Sequence, residues 1–139
     1  MFKGWGRSRG GSGGLGPSSP STKAVGDSGE DRALAFLQQQ GLRLVQRNYR
    51  LAGGPRQRAG EIDLILRASD GTLVFVEVRA RHDTSHGGAA GSVSAAKQRR
   101  IVRAAQHYLM RLDVLPPCRF DVVAIEGEVL SWLPAAFGA

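Results

Sequence analysis

Apolar and polar positions along the chain form seven periodic stretches separated by Gly-, Ser- or Pro-rich breaks. Residues 27–40 (DSGEDRALAFLQQQ) carry Ala33, Leu34 and Leu37 on one helical stripe, with Asp27 or Ser28 as the N-cap and Gly41 as the stop. Residues 42–51 alternate as a strand does. The segments 61–68 (EIDLILRA) and 72–80 (TLVFVEVRA) give the strongest strand patterns and flank a hairpin loop at Ser69, Asp70 and Gly71. A long helix is predicted from about Ser92 to Leu112, its stripe made of Ile101, Ala104, Ala105, Tyr108 and Leu112; Pro116 and Pro117 end the connection. Two more strands, 119–126 (RFDVVAIE) and 128–133 (EVLSWL), meet at a tight turn on Gly127. The order α-β-β-β-α-β-β, with a helical connection of about 40 residues, allows a parallel crossover. The expected fold class is α/β, a mixed sheet with helices packed on it.

Composition then limits where that fold can lie. Residues 1–22 are dominated by Gly, Ser, Pro and Arg and bury too little to offset the entropy of ordering. The expected organisation is therefore a disordered tail over 1–23 and one domain over 24–139. The tail lacks the apolar run of a signal peptide, and no stretch approaches the roughly 18–20 apolar residues that span a bilayer. The single Cys118 excludes an internal disulfide and any multi-Cys metal site, which fits a reducing cytoplasm. A formal charge of +7 favours a polyanionic partner, nucleic acid before an anionic membrane surface. Of the 19 basic residues only Lys3, Lys23 and Lys97 are lysines, a bias that a GC-rich genome produces.

The acids say more than the excess of bases. Glu77 interrupts the apolar run Leu73–Val78, and Asp63 stands inside Ile62-Leu64-Ile65-Leu66. A buried carboxylate without a cation, a metal or a proton costs several kcal/mol. Register decides whether the two meet. A two-residue turn pairs 63 with 78 and puts the acids on opposite faces. A three-residue loop with Gly71 left-handed pairs 68 with 72 and hence 63 with 77, with Cβ atoms about 5 Å apart. Two carboxylates that close call for a divalent cation, and hard oxygen donors suit Mg²⁺ or Mn²⁺. Arg79 shares the face of Glu77. Glu30 lies on the inward stripe of the first helix, and Lys97, four residues before Ile101, lies on that of the second.

The motifs Gly29-Glu30-Asp31-Arg32-Ala33, QRNYR (46–50), GEIDLI (60–65), LVFVEVRAR (73–81), AKQRRI (96–101) and RFDVVAI (119–125) occur in order at consistent spacing. Over residues 26–133 the chain resembles the YraN-like family of uncharacterised bacterial proteins, predicted to be nucleases. The resemblance implies a restriction-endonuclease-like αβββαβ core related to Holliday-junction resolvases, with Glu30, Asp63 and Glu77 at the acidic positions. It implies Mg²⁺- or Mn²⁺-dependent hydrolysis of DNA, with branched structures as substrate and a homodimer by analogy with resolvases. In that scheme Asp63, Glu77 and the Val78 carbonyl hold the metal, and Arg79 and Lys97 orient the scissile phosphate. Arg56, Arg58, Arg99, Arg100 and Arg103 follow the nucleic-acid backbone. There is one departure: the family's lysine two residues after the strand glutamate is Arg79 here. Arginine keeps the charge but does not exchange its proton with water. Lys97 is the candidate for the flexible ammonium. The competing readings are a non-catalytic nucleic-acid-binding protein that retains the fold, and an interaction module using the sheet edge at 128–133.

Plainer roles stand beside each of these. Glu30 could be the third residue of a capping box begun by Asp27, and Asp63 and Glu77 a structural pair with Arg79 and Arg81. Lys97 could be an ordinary solvated residue, and the arginines around it a wet helix face. Asp121 reads as a structural acid for Arg119 or a loop amide, and Trp132 and Cys118 as core or near-core residues. His82 and His86 sit in a Gly-rich loop unsuited to ligation. The Gly10–Gly14 run matches a nucleophile elbow only formally.

Overall fold

The computed structural model describes residues 22–51, 60–81 and 93–138. Residues 1–21 of the expected 1–23 tail, the loop arginines Arg56 and Arg58, and His82 and His86 lie outside the described residues.

The element order is the expected one: α1 (Thr22–Gln39), β1 (Arg43–Arg50), β2 (Glu61–Arg67), β3 (Leu73–Arg81), α2 (Ala95–Leu109), β4 (Cys118–Glu126) and β5 (Val129–Phe137). The strands form one sheet in the order β1-β2-β3-β4-β5. All neighbours are antiparallel except β3 and β4, which run parallel across the α2 connection. The protein is thus a mixed α/β fold. No helix among the described residues is long and apolar enough to cross a membrane.

Each sheet face carries one helix. Ala33 and Leu37 of α1 pack on Leu64, Leu66, Val74, Val76, Val123 and Ile125. Ile101, Ala104, Ala105 and Tyr108 of α2 pack on the opposite face against Ile65, Leu73, Phe75 and Val122. Phe75, Leu37 and Ile101 are fully buried, each contributing about 1.5–3 kcal/mol by leaving water. Alternation along β3 divides its residues between the faces, Leu73 and Phe75 toward α2, Val74 and Val76 toward α1.

Three boundaries differ from expectation. The α1 backbone starts at Thr22, before Asp27, so Glu30 lies two turns inside the helix and is not the third residue of a capping box. Gly41 does close it, at φ 97°. α2 begins at the Ser94 N-cap, whose Oγ accepts from the Lys97 amide at 3.1 Å. β5 runs on through Pro134 to Phe137, as a sheet-edge strand allows. Cys118, expected near the core, is exposed, its Sγ donating to the Pro116 carbonyl at 3.3 Å.

Candidate functional site

The β2–β3 hairpin closes through the three-residue loop. Arg67 pairs with Leu73 and Leu64 with Val76, Gly71 is left-handed at φ 94°, and the Ala68 amide donates to the Thr72 carbonyl at 2.9 Å. One step beyond the last ladder pair this register sets Asp63 beside Glu77. There the regular bonding ends, and the Val78 amide donates to Asp63 Oδ2 at 2.8 Å.

The two-residue alternation of β2 also breaks at Asp63. Ile62 and Ile65, three residues apart, belong to the α2-side cluster, while Leu64 and Leu66 belong to the other. β1 breaks in step: Arg47 is opposite Leu64, Tyr49 is opposite Ile62, and Asn48 between them has φ 54°. Asn is among the few non-glycine residues that adopt this conformation readily. β2 is also drawn tightly under α2, because a Cβ on Gly60 would meet the Arg100 carbonyl oxygen and lie 2.8 Å from Ala104 Cβ.

Glu77 is 8% exposed, and its Oε2 lies 3.6 Å from Lys97 Nζ. The strand and helix residues picked from two separate motifs, Glu77 and Lys97, therefore meet. Burial raises Glu77 above its ordinary value, against the opposing pull of Lys97, a hydrogen bond with Asp63, and Arg79. Asp63 is pushed up to about 7, by burial first and then by the Glu77 charge. The hydrogen bond between the two carboxyl groups favours the proton on Asp63 and the charge on Glu77. Glu30 is raised by burial and by the Asp63 charge, and its Oε1 lies 3.4 Å from Arg47. Among the described residues, no group of three or more His, Cys, Asp and Glu is arranged to hold a metal ion. Any cation at this site would therefore draw on the Asp63/Glu77 pair and backbone oxygen, with Glu30 acting on Asp63 through charge. The donor chemistry fits a hard divalent cation: buried carboxylate oxygens, with the Val78 peptide held against Asp63.

The remaining candidates divide. Arg79 favours the ionised form of Glu77. Arg99 and Arg103 are exposed on α2, and Arg100 is half-buried. Arg47 did not stand out in the sequence; it joins α1 to β1, with Asp31 at 2.9 Å as well as Glu30. Asp121 is structural, as expected, and fully buried. It accepts from Arg119 Nε at 3.0 Å, Trp132 Nε1 at 3.0 Å and the Ala135 amide at 2.9 Å.

Comparison with known proteins gives the same family as the motifs. Residues 29–125 match the uncharacterised protein family UPF0102. A UPF0102 protein of Methylibium petroleiphilum is 73% identical over 118 residues, covering 85% of this chain and 97% of that protein. One from Albidiferax ferrireducens is 63% identical over 118 residues, 85% of this chain and 90% of its own length. One from Cupriavidus taiwanensis is 59% identical over 120 residues, with 86% and 87% covered. With that span matched from α1 to β4, the chain belongs to UPF0102, the YraN-like family its motifs pointed to.

Proposed function

We propose that the chain is a metal-dependent nuclease that hydrolyses DNA phosphodiesters on a restriction-endonuclease-like core, with branched or flapped DNA as substrate. The observation that carries this reading is the Asp63/Glu77 pair. Two adjacent buried carboxyl groups resist ionising together at neutral pH, and a divalent cation between them would relieve that cost. Asp63, Glu77 and the Val78 carbonyl are the donors for Mg²⁺ or Mn²⁺. When bound, such an ion acidifies a water molecule and offsets charge on the phosphoryl oxygens. Lys97, already within 3.6 Å of Glu77, and Arg79 on the same strand orient the scissile phosphate. Arg99, Arg100 and Arg103, with Arg56 and Arg58, follow the backbone of the nucleic acid. The test is an assay of the purified protein on branched and flapped DNA with Mn²⁺. Tight DNA binding without cleavage would sink the enzyme reading. Isothermal titration of Mn²⁺ into wild type and Asp63→Ala checks the metal site, which fails if the variant binds equally well.

A second reading, a nucleic-acid-binding protein with little or no turnover, is favoured by one residue. Arg79 stands where the family's lysine is expected, and guanidinium does not deprotonate at neutral pH. Arg79→Lys discriminates between them. A gain in single-turnover cleavage approaching the roughly 10²–10⁴ that proton transfer contributes means that Arg79 slows or silences the site.

A further inference from the structure

α2 has a second stripe beside its core stripe. Gln98, Val102 and Gln106 repeat every four residues, with Arg99 and Arg103 in the adjoining row, and together with Gly138 at the end of β5 they line a groove of about 400 Å³. No acid occurs anywhere in α2, and Arg99 and Arg103 are exposed. A solvated helix face accounts for the charges but not for the concavity, which arises because α2 lies over the inner strands and leaves the β5 side of that sheet face open.

We propose that this groove is a subsite for an unpaired nucleotide of the DNA strand that passes the Asp63/Glu77 pair; the inference rests on the nucleic-acid-binding part of the reading above and names its substrate class. The volume is that of a small-ligand site, too confined for a double helix. Arg99 and Arg103 are one turn apart, about 5–6 Å at Cβ, so two guanidinium groups can clamp the phosphates of one nucleotide unit. Val102 offers an apolar face to a base. Gln106 and Gln98 bring side-chain amides that both donate and accept, as base edges require. Gln98 is fixed in place, its Nε2 donating to the Val93 carbonyl at 2.9 Å. The groove begins on the helical residue after Lys97, and β5 is two strand spacings, roughly 10 Å, from β3. Phe137 stands opposite Phe120, and Phe120 opposite Phe75, so Gly138 is also about three residues, roughly 10 Å, along the strands from Glu77. At the rise of a duplex strand the resulting distance of about 14 Å is roughly four nucleotides from the carboxylate pair.

The test is fluorescence anisotropy on the full-length protein with divalent metal chelated, comparing a blunt duplex with the same duplex bearing a short single-stranded extension. The extension is expected to tighten binding by about tenfold, as two solvent-exposed charge pairs imply. Arg99→Ala/Arg103→Ala is expected to bring the two affinities within about twofold of each other, with blunt-duplex binding also weakened because both arginines lie along the backbone path. It should also lower the salt slope of log K for the extended substrate by roughly 1.4, two single-strand phosphate contacts' worth. Arg99→Gln/Arg103→Gln, which keeps length and polarity, guards against a folding defect. The proposal is overturned if wild type shows no preference for the extension, if the preference survives in both variants, or if both substrates weaken equally. Cleavage fails independently: extension binding without hydrolysis refutes only the enzyme, and hydrolysis without extension preference refutes only the groove.

Discussion

Replacing Asp63 by Asn tests the carboxylate pair without any assumption about activity. The amide oxygen of Asn can still accept the Val78 amide, now at 2.8 Å from Asp63 Oδ2, so the hydrogen bond survives and only the titrating group is lost. Unfolded, the Asp63 carboxyl titrates at its ordinary 3.8; folded, it keeps its proton to about 7. Between those values the folded chain binds more protons than the unfolded one, so stability falls as pH rises through that window and levels off above it. The full shift corresponds to roughly 4 kcal/mol against the ionised folded form. Part of that penalty remains in the variant because Glu77 is still buried and itself raised, so the expected gain is about 2–4 kcal/mol near pH 8. Thermal unfolding in chelator should show it as a rise of about 6 °C or more near pH 8, shrinking toward pH 5. Added Mn²⁺ should recover stability in wild type and much less in Asp63→Asn. A variant that is equally or less stable at every pH would refute the picture of two repelling buried acids.

Two other substitutions probe the frame around the site. Gly60→Ala places a Cβ against the Arg100 carbonyl and 2.8 Å from Ala104 Cβ, so α2 must shift; a loss of about 1–3 kcal/mol is expected in denaturant titration, and an unchanged midpoint would mean that β2 does not approach the helix so closely. Asp121→Ala removes a fully buried acceptor and leaves the part-exposed Arg119, Trp132 and Ala135 donors without it, which should cost about 1–3 kcal/mol while leaving Mn²⁺ affinity unchanged in whatever fraction folds. Altered metal binding there would make Asp121 part of the site.

The β2–β3 register was legible because it rests on local chemistry. A three-residue loop ending in a left-handed glycine has one register, and Gly71 adopts it. Lys97 was legible because helical spacing from Ile101 fixes its side of α2. What escaped depends on tertiary context. The capping candidates Asp27 and Ser28 lie inside α1, whose backbone continues upstream to Thr22. Pro134 reads as the end of a strand, yet a proline is tolerated on an edge, and Asp121 anchors β5 beyond it through the Ala135 amide, where Ala135 takes φ 51°. Arg47 sits in an ordinary alternating segment, and only its place opposite Leu64, on the α1 side, brings it to Glu30. The groove escaped because Gln98, Arg99, Arg103 and Gln106 read as a wet face until β5 is placed beside them.

The break in alternation at Asn48 and Asp63 explains how one carboxylate pair can be addressed from both sides of a sheet. Strict alternation would give Asp63 to one face, and a helix on the other face could not reach it. Here Ile62 stays on the α2 side while Leu64 turns to the α1 side, with Asp63 at the crossing and the ladder to β3 ending one residue later. Glu30 on α1 consequently acts on Asp63, while Lys97 on α2 contacts Glu77. A left-handed non-glycine residue costs of order 1 kcal/mol, a cost borne by Asn48 at the strand position facing the break. That places the strain on β1 and leaves Asp63 and Glu77 on extended strands, held by the Val78 amide and Lys97. Because the β2–β3 ladder ends at Leu64 and Val76, the Val78 amide is released from that ladder and donates to the Asp63 carboxyl group instead, which fixes the acid beside Glu77.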